Sequence, residues 1–395
     1  MFYFDESFHT RVITKGYIKD DNNCDSYIGV SVGWNASKDV EIRSAYQAFE
    51  EKYKTFYEVE EVKSQVIKKK FYQYGIASFK KNQITFYDEY FSIVEKGIYI
   101  YICVLSKMET VLRQIIAPVY GYGTREGQIL LYVLTKAILL YRPENVMSAL
   151  FDKSELFVQE LKKIIKKKIN EIFGLEHKTL ELNIFKECLL ILNLDVQESL
   201  NFEWYYDIAF WGFKLLIEEL NLNENRLSYV IDNEGAEGEE SKTLSAAKRA
   251  GFSQAIEMDS KTEMGVRVAD LLSGFVGRIV RAMESDLCYK GDDFKKKKLL
   301  DKQWFDLNNE QFGLYKKIAN VFFTLNNQYY MSYAGVYGDE ISLFFGLFRY
   351  IDEFETYEEF LMMESNVHAE NFNTQMCYKL EHDFERFGKP DKYNK

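Results

Sequence analysis

The chain has little of what usually punctuates or cross-links a fold. Three prolines in 395 residues leave most of its length open to uninterrupted helices. Its five cysteines (Cys24, Cys103, Cys188, Cys288 and Cys377) lie far apart and without metal-type spacing. They read as free thiols of a reducing compartment. Four histidines are present, His9, His177, His368 and His382, and no two form a His-x-x-x-His pair. Chemistry carried by paired imidazoles is therefore not expected. No run approaches the roughly 18 apolar residues of a membrane span. The longest candidates, Ile98–Leu105 and Ile129–Tyr141, are short or broken by polar residues. The first residues enter Phe2-Tyr3-Phe4-Asp5 with no basic stretch ahead of an apolar one, so no secretory leader is expected. A soluble, cytoplasmic protein without membrane contact is the expectation. Positive charge is also in deficit, with 50 Lys and Arg against 61 Asp and Glu, a net charge of -11. That argues against nonspecific coating of nucleic acid, though not against a local basic surface.

What is abundant is aromatic: 29 tyrosines and 31 phenylalanines, within a chain that is 47% hydrophobic and so able to bury a large core. Phe2–Asp5 reads as a short buried strand, and Ser26–Trp34 alternates as a second strand, forming a hairpin with the first. Helices are predicted at Ile42–Tyr57 and Gln83–Glu95. The continuous apolar run Ile98–Leu105 predicts a central strand buried on both faces. From Met108 to Leu222 only helical periodicity is seen. Strand texture returns at Arg226–Asp232 and Ala255–Met258, with helices at Ser241–Ala250 and Glu263–Glu284. The remainder is mainly helical, with a Tyr/Gly-rich break near Tyr329–Asp339. The organisation expected is an α/β core in two parts, residues 1–107 and 223–290. A helical insertion, 108–222, interrupts it, and a helical C-terminal extension, 291–395, follows.

Acidic residues fall at the ends of the predicted strands. Asp5 ends the first, Asp232 a later one, and Asp259 follows a third; Glu61 comes after the first helix. Asp270 sits in the apolar helical sequence Val266-Arg267-Val268-Ala269-Asp270-Leu271-Leu272. A buried carboxylate is costly unless a cation or hydrogen bonds offset it. A divalent ion does so directly, and Mg²⁺ or Mn²⁺ suits carboxylate oxygens. Two such ions about 4 Å apart can activate water and stabilise the leaving oxygen of a phosphodiester. The bland readings are strand-end turns for Asp5 and Asp232, an ion pair with Arg267 or Arg278 for Asp270, and a helix cap for Asp259, the last being favoured.

Four pieces occur in a set order: Tyr3-Phe4-Asp5-Glu6-Ser7; Glu61-Val62-Lys63; Tyr229-Val230-Ile231-Asp232; and Asp259-Ser260-Lys261 followed by Gly265-Val266-Arg267-Val268-Ala269-Asp270-Leu271-Leu272. Together they resemble a bacterial domain-of-unknown-function family. Its members begin with a strand ending Asp-Glu-Ser and finish with Asp-Ser-Lys and Gly-Leu-Gln-Leu-Ala-Asp-Leu-Leu. The resemblance covers roughly residues 1–105 and 226–285. It implies a ribonuclease H-like mixed sheet in which Asp5, Glu61, Asp232 and Asp270 are the catalytic, metal-holding carboxylates, with Mg²⁺ or Mn²⁺ as cofactor. It further implies a nuclease of RNA or DNA, in a setting such as bacterial defence or a mobile element. Lys63 and Arg267 are the candidate phosphate contacts. Arg267 departs from the family's usual Gln, and residues 233–240 are strongly acidic. The alternative is a catalytically degraded binding or sensor protein on the same fold, its helical regions meeting a protein partner or a second copy.

Basic clusters lie at Lys68–Lys70, Lys80–Lys81, Lys162–Lys168 and Lys295–Lys298. In a helix predicted at Glu155–Phe173, the apolar Leu161, Ile164, Ile165 and Ile169 leave Lys162, Lys163, Lys166 and Lys167 on the other face, an ordinary solvated face or a local phosphate-binding surface on the insertion. Trp204-Tyr205-Tyr206 and Trp211 read as core rather than as base-stacking platforms.

Overall fold

The computed structural model describes residues 1–9, 13–16, 24–121, 123–152, 156–192, 202, 204–233, 240–289, 299–324, 331–333 and 335–386. The Lys295–Lys298 cluster and most of the acidic stretch after Asp232 lie outside the described residues.

The protein is mixed α/β. Six strands form one sheet: β1 (Phe2–Ser7), β2 (Ser26–Gly33), β4 (Tyr99–Ser106), β5 (Tyr229–Asp232), β6 (Ala255–Met258) and β7 (Met331–Tyr333). A further short strand, β3 (Gln73–Ile76), is outside that order. The order across the sheet is β6-β5-β1-β2-β4-β7. β1, β2 and β4 run antiparallel in sequence, whereas β5 pairs parallel with β1, β6 with β5, and β7 with β4. Every residue of β2 is buried, as befits a strand covered on both faces.

The alternation of side chains along the strands divides the core in two. Tyr3, Val30, Val32, Ile100 and Ile102 face one way, against α1 (Asp39–Tyr57), α2 (Lys81–Val94) and α10 (Met264–Leu287). Phe2, Phe4, Tyr27, Tyr101 and Cys103 face the other way, against α3 (Lys107–Tyr120), α4 (Arg125–Tyr141) and α8 (Ile208–Glu219). α1 shows why such segments dock. Ile42, Tyr46, Phe49 and Tyr53 recur at spacings of three and four and make one buried stripe.

Between β4 and β5 the described residues hold only helical elements. Besides α3, α4 and α8 these are α5 (Glu144–Asp152), α6 (Phe157–Ile172) and α7 (Thr179–Ile191), with short single-turn pieces. α9 (Lys242–Arg249) joins β5 to β6. After α10 come α11 (Asn309–Ala319), α12 (Asp339–Asp352), α13 (Tyr357–Phe360) and α14 (Ser365–Glu385). This last segment is mainly helical but also supplies β7, an edge strand within the Tyr/Gly-rich break. Its helices share the core under α10. Among the described residues, no helix is long and apolar enough to cross a membrane.

Candidate active site

Along β1 the residues Tyr3, Asp5 and Ser7 point to the face covered by α10. Two contacts fix how that helix lies. Gly265 rests on the Tyr3 ring so closely that a Cβ there would stand 2.3 Å from it. Eight residues on, Ser273 Oγ is 3.3 Å from Ser7 Oγ. Eight helical residues span about 12 Å, and the four steps from Tyr3 to Ser7 span about 13 Å. The helix therefore tracks the strand, which brings Asp270 to the level of Asp5. Asp232 arrives from the other side. β5 lies parallel beside β1, with Phe4 opposite Ile231, so Asp232 is one step beyond that rung, next to Asp5.

The three carboxylates feel one another. Burial, then the negative charges of Asp270 and Asp232, push the Asp5 carboxyl well above the ordinary carboxylate range. Burial also raises Asp232, against the pull of the Lys63 ammonium and of two backbone N–H donors. Those donors are Asn233 N at 3.0 Å and Ser260 N at 3.2 Å, both on Asp232 Oδ1. Burial raises Asp270 as well, opposed by Ser64, Lys63 and Arg278. Ser64 N donates to Asp270 Oδ2 at 2.6 Å and Ser64 Oγ to Oδ1 at 3.1 Å.

Ser64 can do this because the helix has no side chain in its way. A Cβ on Gly274 would lie 2.1 Å from the Ser64 side chain. The Ser64 carbonyl in turn accepts from the Arg278 guanidinium, which sits over the Tyr72 ring. Glu61 is joined to the group through Lys63, whose Nζ is 3.7 Å from Glu61 Oε2. Its other oxygen, Oε1, is buried and accepts no hydrogen bond among the described residues.

Three sequence expectations need restating. Arg267 does not pair with Asp270 and is not presented to solvent. It is buried in an ion pair with Glu50, Nε to Oε1 at 2.7 Å, and it donates to the Ser260 carbonyl. Its contribution is to hold the turn whose Ser260 N–H meets Asp232. Asp259 is exposed and does not cap α10. Glu263 is the cap, accepting from Gly265 N at 3.2 Å, while Asp259 closes the preceding turn by accepting from Lys261 N at 2.8 Å. Trp204 and Tyr206 are core residues as expected, whereas Tyr205 and Trp211 are half-exposed and pack edge-on against each other.

His9, adjacent in sequence to β1, belongs to the opposite face. It contacts Glu6 at 2.8 Å and the Tyr206 hydroxyl at 3.1 Å. None of the five cysteines is in a disulfide among the described residues. Ser64, Ser260 and Arg278 were not singled out as site residues. Their only sequence signal is adjacency: Ser64 follows Glu61-Val62-Lys63, and Ser260 is the centre of Asp259-Ser260-Lys261.

Among the described residues, no three His, Cys, Asp or Glu side chains are gathered tightly enough to grip an ion in this conformation. The carboxylates are turned onto Ser64, Ser260 and Lys63 instead. What the arrangement offers chemically is a set of hard oxygen donors with one unsatisfied buried oxygen and mutual repulsion that a cation would relieve. In comparisons with family models, curated proteins and solved structures, nothing matches the chain.

Proposed function

We propose that the protein is a metal-dependent phosphodiesterase acting on RNA or DNA, with Asp5, Asp232 and Asp270, joined by Glu61, holding Mg²⁺ or Mn²⁺. The observation that carries this is the convergence of three half-buried carboxylates from two adjacent strand ends and one helix, close enough that Asp270 and Asp232 both push Asp5 up. A divalent ion would relieve that repulsion directly. The sheet supports the reading too. Antiparallel β4-β2-β1 followed by parallel β5 and β6 agrees with the strand arrangement expected of a ribonuclease H-like core, to which β7 would be an addition. When bound, the ions would lower the pKa of a coordinated water and neutralise charge on the phosphate. The chain's own residues would orient them. Ser64 and Ser260 fix the Asp270 and Asp232 rotamers, and Lys63, half-exposed beside both, is placed to meet a phosphate oxygen.

A second reading rests on Lys63 itself. Its ammonium already opposes the rise that burial imposes on Asp232 and Asp270, the part a metal would play. An internal cation of this kind suits a binding or sensor protein that no longer takes up metal.

Calorimetry with Mn²⁺, together with hydrolysis of a labelled RNA or DNA strand, separates the two. The enzyme reading expects ion uptake and cleavage in the wild type, both abolished by Asp5→Asn. A wild type that binds no Mn²⁺ and cuts neither strand defeats it and leaves the sensor reading.

A further inference from the structure

A cavity of about 770 Å³ opens further along α10 from the carboxylates. Five cations line it: Lys69 and Lys70 from the turn Lys69–Tyr72, Arg142 at the end of α4, and Arg278 and Arg281 of α10. In a chain of net charge -11, such a gathering does not follow from composition. Three acids share the wall, and two of them are directed at protein donors. Glu284 accepts from Asp25 N at 2.8 Å, and Asp286 accepts from the Trp304 indole N–H at 2.7 Å.

The cavity and the carboxylates are parts of one surface. Asp270, Gly274, Arg278 and Arg281 follow at helical spacings of four, four and three, so they form a stripe on one side of α10. At about 1.5 Å per residue, Arg278 lies about 12 Å and Arg281 about 16 Å beyond Asp270. Ser64 links Asp270 to Arg278 along this stripe, holding Asp270 with its N–H and Oγ while its carbonyl accepts from Arg278. Arg142 adds a backbone sign. It ends α4 in the left-handed region at φ 43°, a position glycine usually takes.

We propose that this cavity binds the phosphate backbone of a nucleic-acid strand and so sets where the strand crosses the carboxylates. The choice of a nucleic acid rests on the phosphodiesterase reading; the binding itself needs no catalysis. Cations converging from three separate elements suit several phosphates in succession better than a single one. A strand of duplex advances about 3.4 Å per nucleotide. Arg278 and Arg281 would therefore meet phosphates roughly three to five nucleotides from the carboxylates.

The test is fluorescence anisotropy of the full chain with a short fluorescein-labelled RNA strand and with the DNA strand of the same sequence. Chelator is present throughout, so cleavage plays no part. Lys70 and Arg142 are exposed, and their replacement does not threaten the core. Lys70→Glu with Arg142→Glu should weaken binding at least tenfold and flatten the salt dependence by about one to two in slope. Arg281→Ala, from a different element, should weaken it in the same direction. Lys166→Glu with Lys167→Glu, the same charge change on an exposed face of α6, should leave affinity as it was. The two strands show whether ribose or deoxyribose is preferred. The inference is overturned if the wild type binds neither strand, if the cavity variant keeps its affinity, or if the α6 variant loses as much. None of these results touches Mn²⁺ uptake, so this inference and the phosphodiesterase reading fail separately.

Discussion

Asp25 and Asp5 are both half-buried aspartates in or beside neighbouring strands, and their surroundings differ in kind. Asp25 precedes β2 and is met by donors. Its carboxylate accepts from Ser106 Oγ at 2.5 Å and Met108 N at 2.8 Å, and its own N–H donates to both oxygens of Glu284. The buried Lys107 ammonium reaches the carbonyls of Cys24 and Asp25, at 2.7 and 3.1 Å. That group ties the start of β2, the end of β4, the start of α3 and the last turns of α10 into one joint. Asp5 instead faces Asp270 and Asp232, and its charge is opposed rather than answered. Burial of an acid is thus put to two uses here. One set of acids is met by hydrogen-bond donors of the fold, although Asp25 and Glu284 also repel each other, and it holds the fold together. The other stores repulsion, which only something from outside would relieve.

The largest expected effect breaks the first half of that comparison. Asp25→Ala leaves Ser106 Oγ and Met108 N without their acceptor and takes a negative charge away from the buried Lys107 ammonium, while the backbone contacts of Asp25 with Lys107 and Glu284 remain. Removing one partner of a buried charged network costs about 3–5 kcal/mol, which denaturant melts would read directly. A loss under 1 kcal/mol would mean that the joint is not what holds these elements.

Glu284, in the same joint, gives the next effect, through pH. Burial first, then the Asp25 charge, push its carboxyl up to about 7, against a reference of 4.5. A carboxyl raised in the folded state favours the protonated form. Its stabilising contribution is therefore fully present below pH 4.5 and is lost as pH rises through about 7. Over that window the wild type should lose up to about 3 kcal/mol, at about 1.4 kcal/mol per unit. Glu284→Gln keeps an acceptor for Asp25 N and should flatten the curve between those limits. Parallel curves for the two proteins would show that Glu284 does not titrate there.

The elements that could be read from the sequence are those whose periodicity is long or whose buried run is unbroken. β2, β4, α1, α2 and α10 have this character, and Ala255–Met258 was located to the residue. β3 and β7 were not found. They are four and three residues long and carry Gln, Tyr, Gly and Ser, which make no alternation to detect. At the site, carboxylates at strand ends were visible as residue types. Their supports were not: Arg267 meets a glutamate 217 positions away, and Ser64 meets Asp270 across 206. Contacts that distant exist only once the chain has folded, so no local spacing announces them.

Asp270→Asn addresses the second half of the comparison, and its expected effect in chelator is the smallest. The amide keeps an oxygen to accept from Ser64 and loses the charge that raises Asp5. The lost bond and the relieved repulsion oppose one another, so stability at neutral pH should stay within about 1.4 kcal/mol of wild type, the equivalent of one pKa unit. Mn²⁺ then discriminates. A ligand that binds only the folded state adds stability by mass action, about 2.7 kcal/mol at a hundred times Kd. In the wild type this should raise Tm by about 3–5 °C. The variant should show little or none of that rise, because one ligand is gone. An aspartate whose work is to hold Ser64 in place would behave otherwise. Its replacement would lower Tm equally with Mn²⁺ and with chelator, and the metal-dependent rise would survive. Melting curves of the two proteins under both conditions distinguish the cases, and a full metal response in Asp270→Asn removes Asp270 from the proposed site.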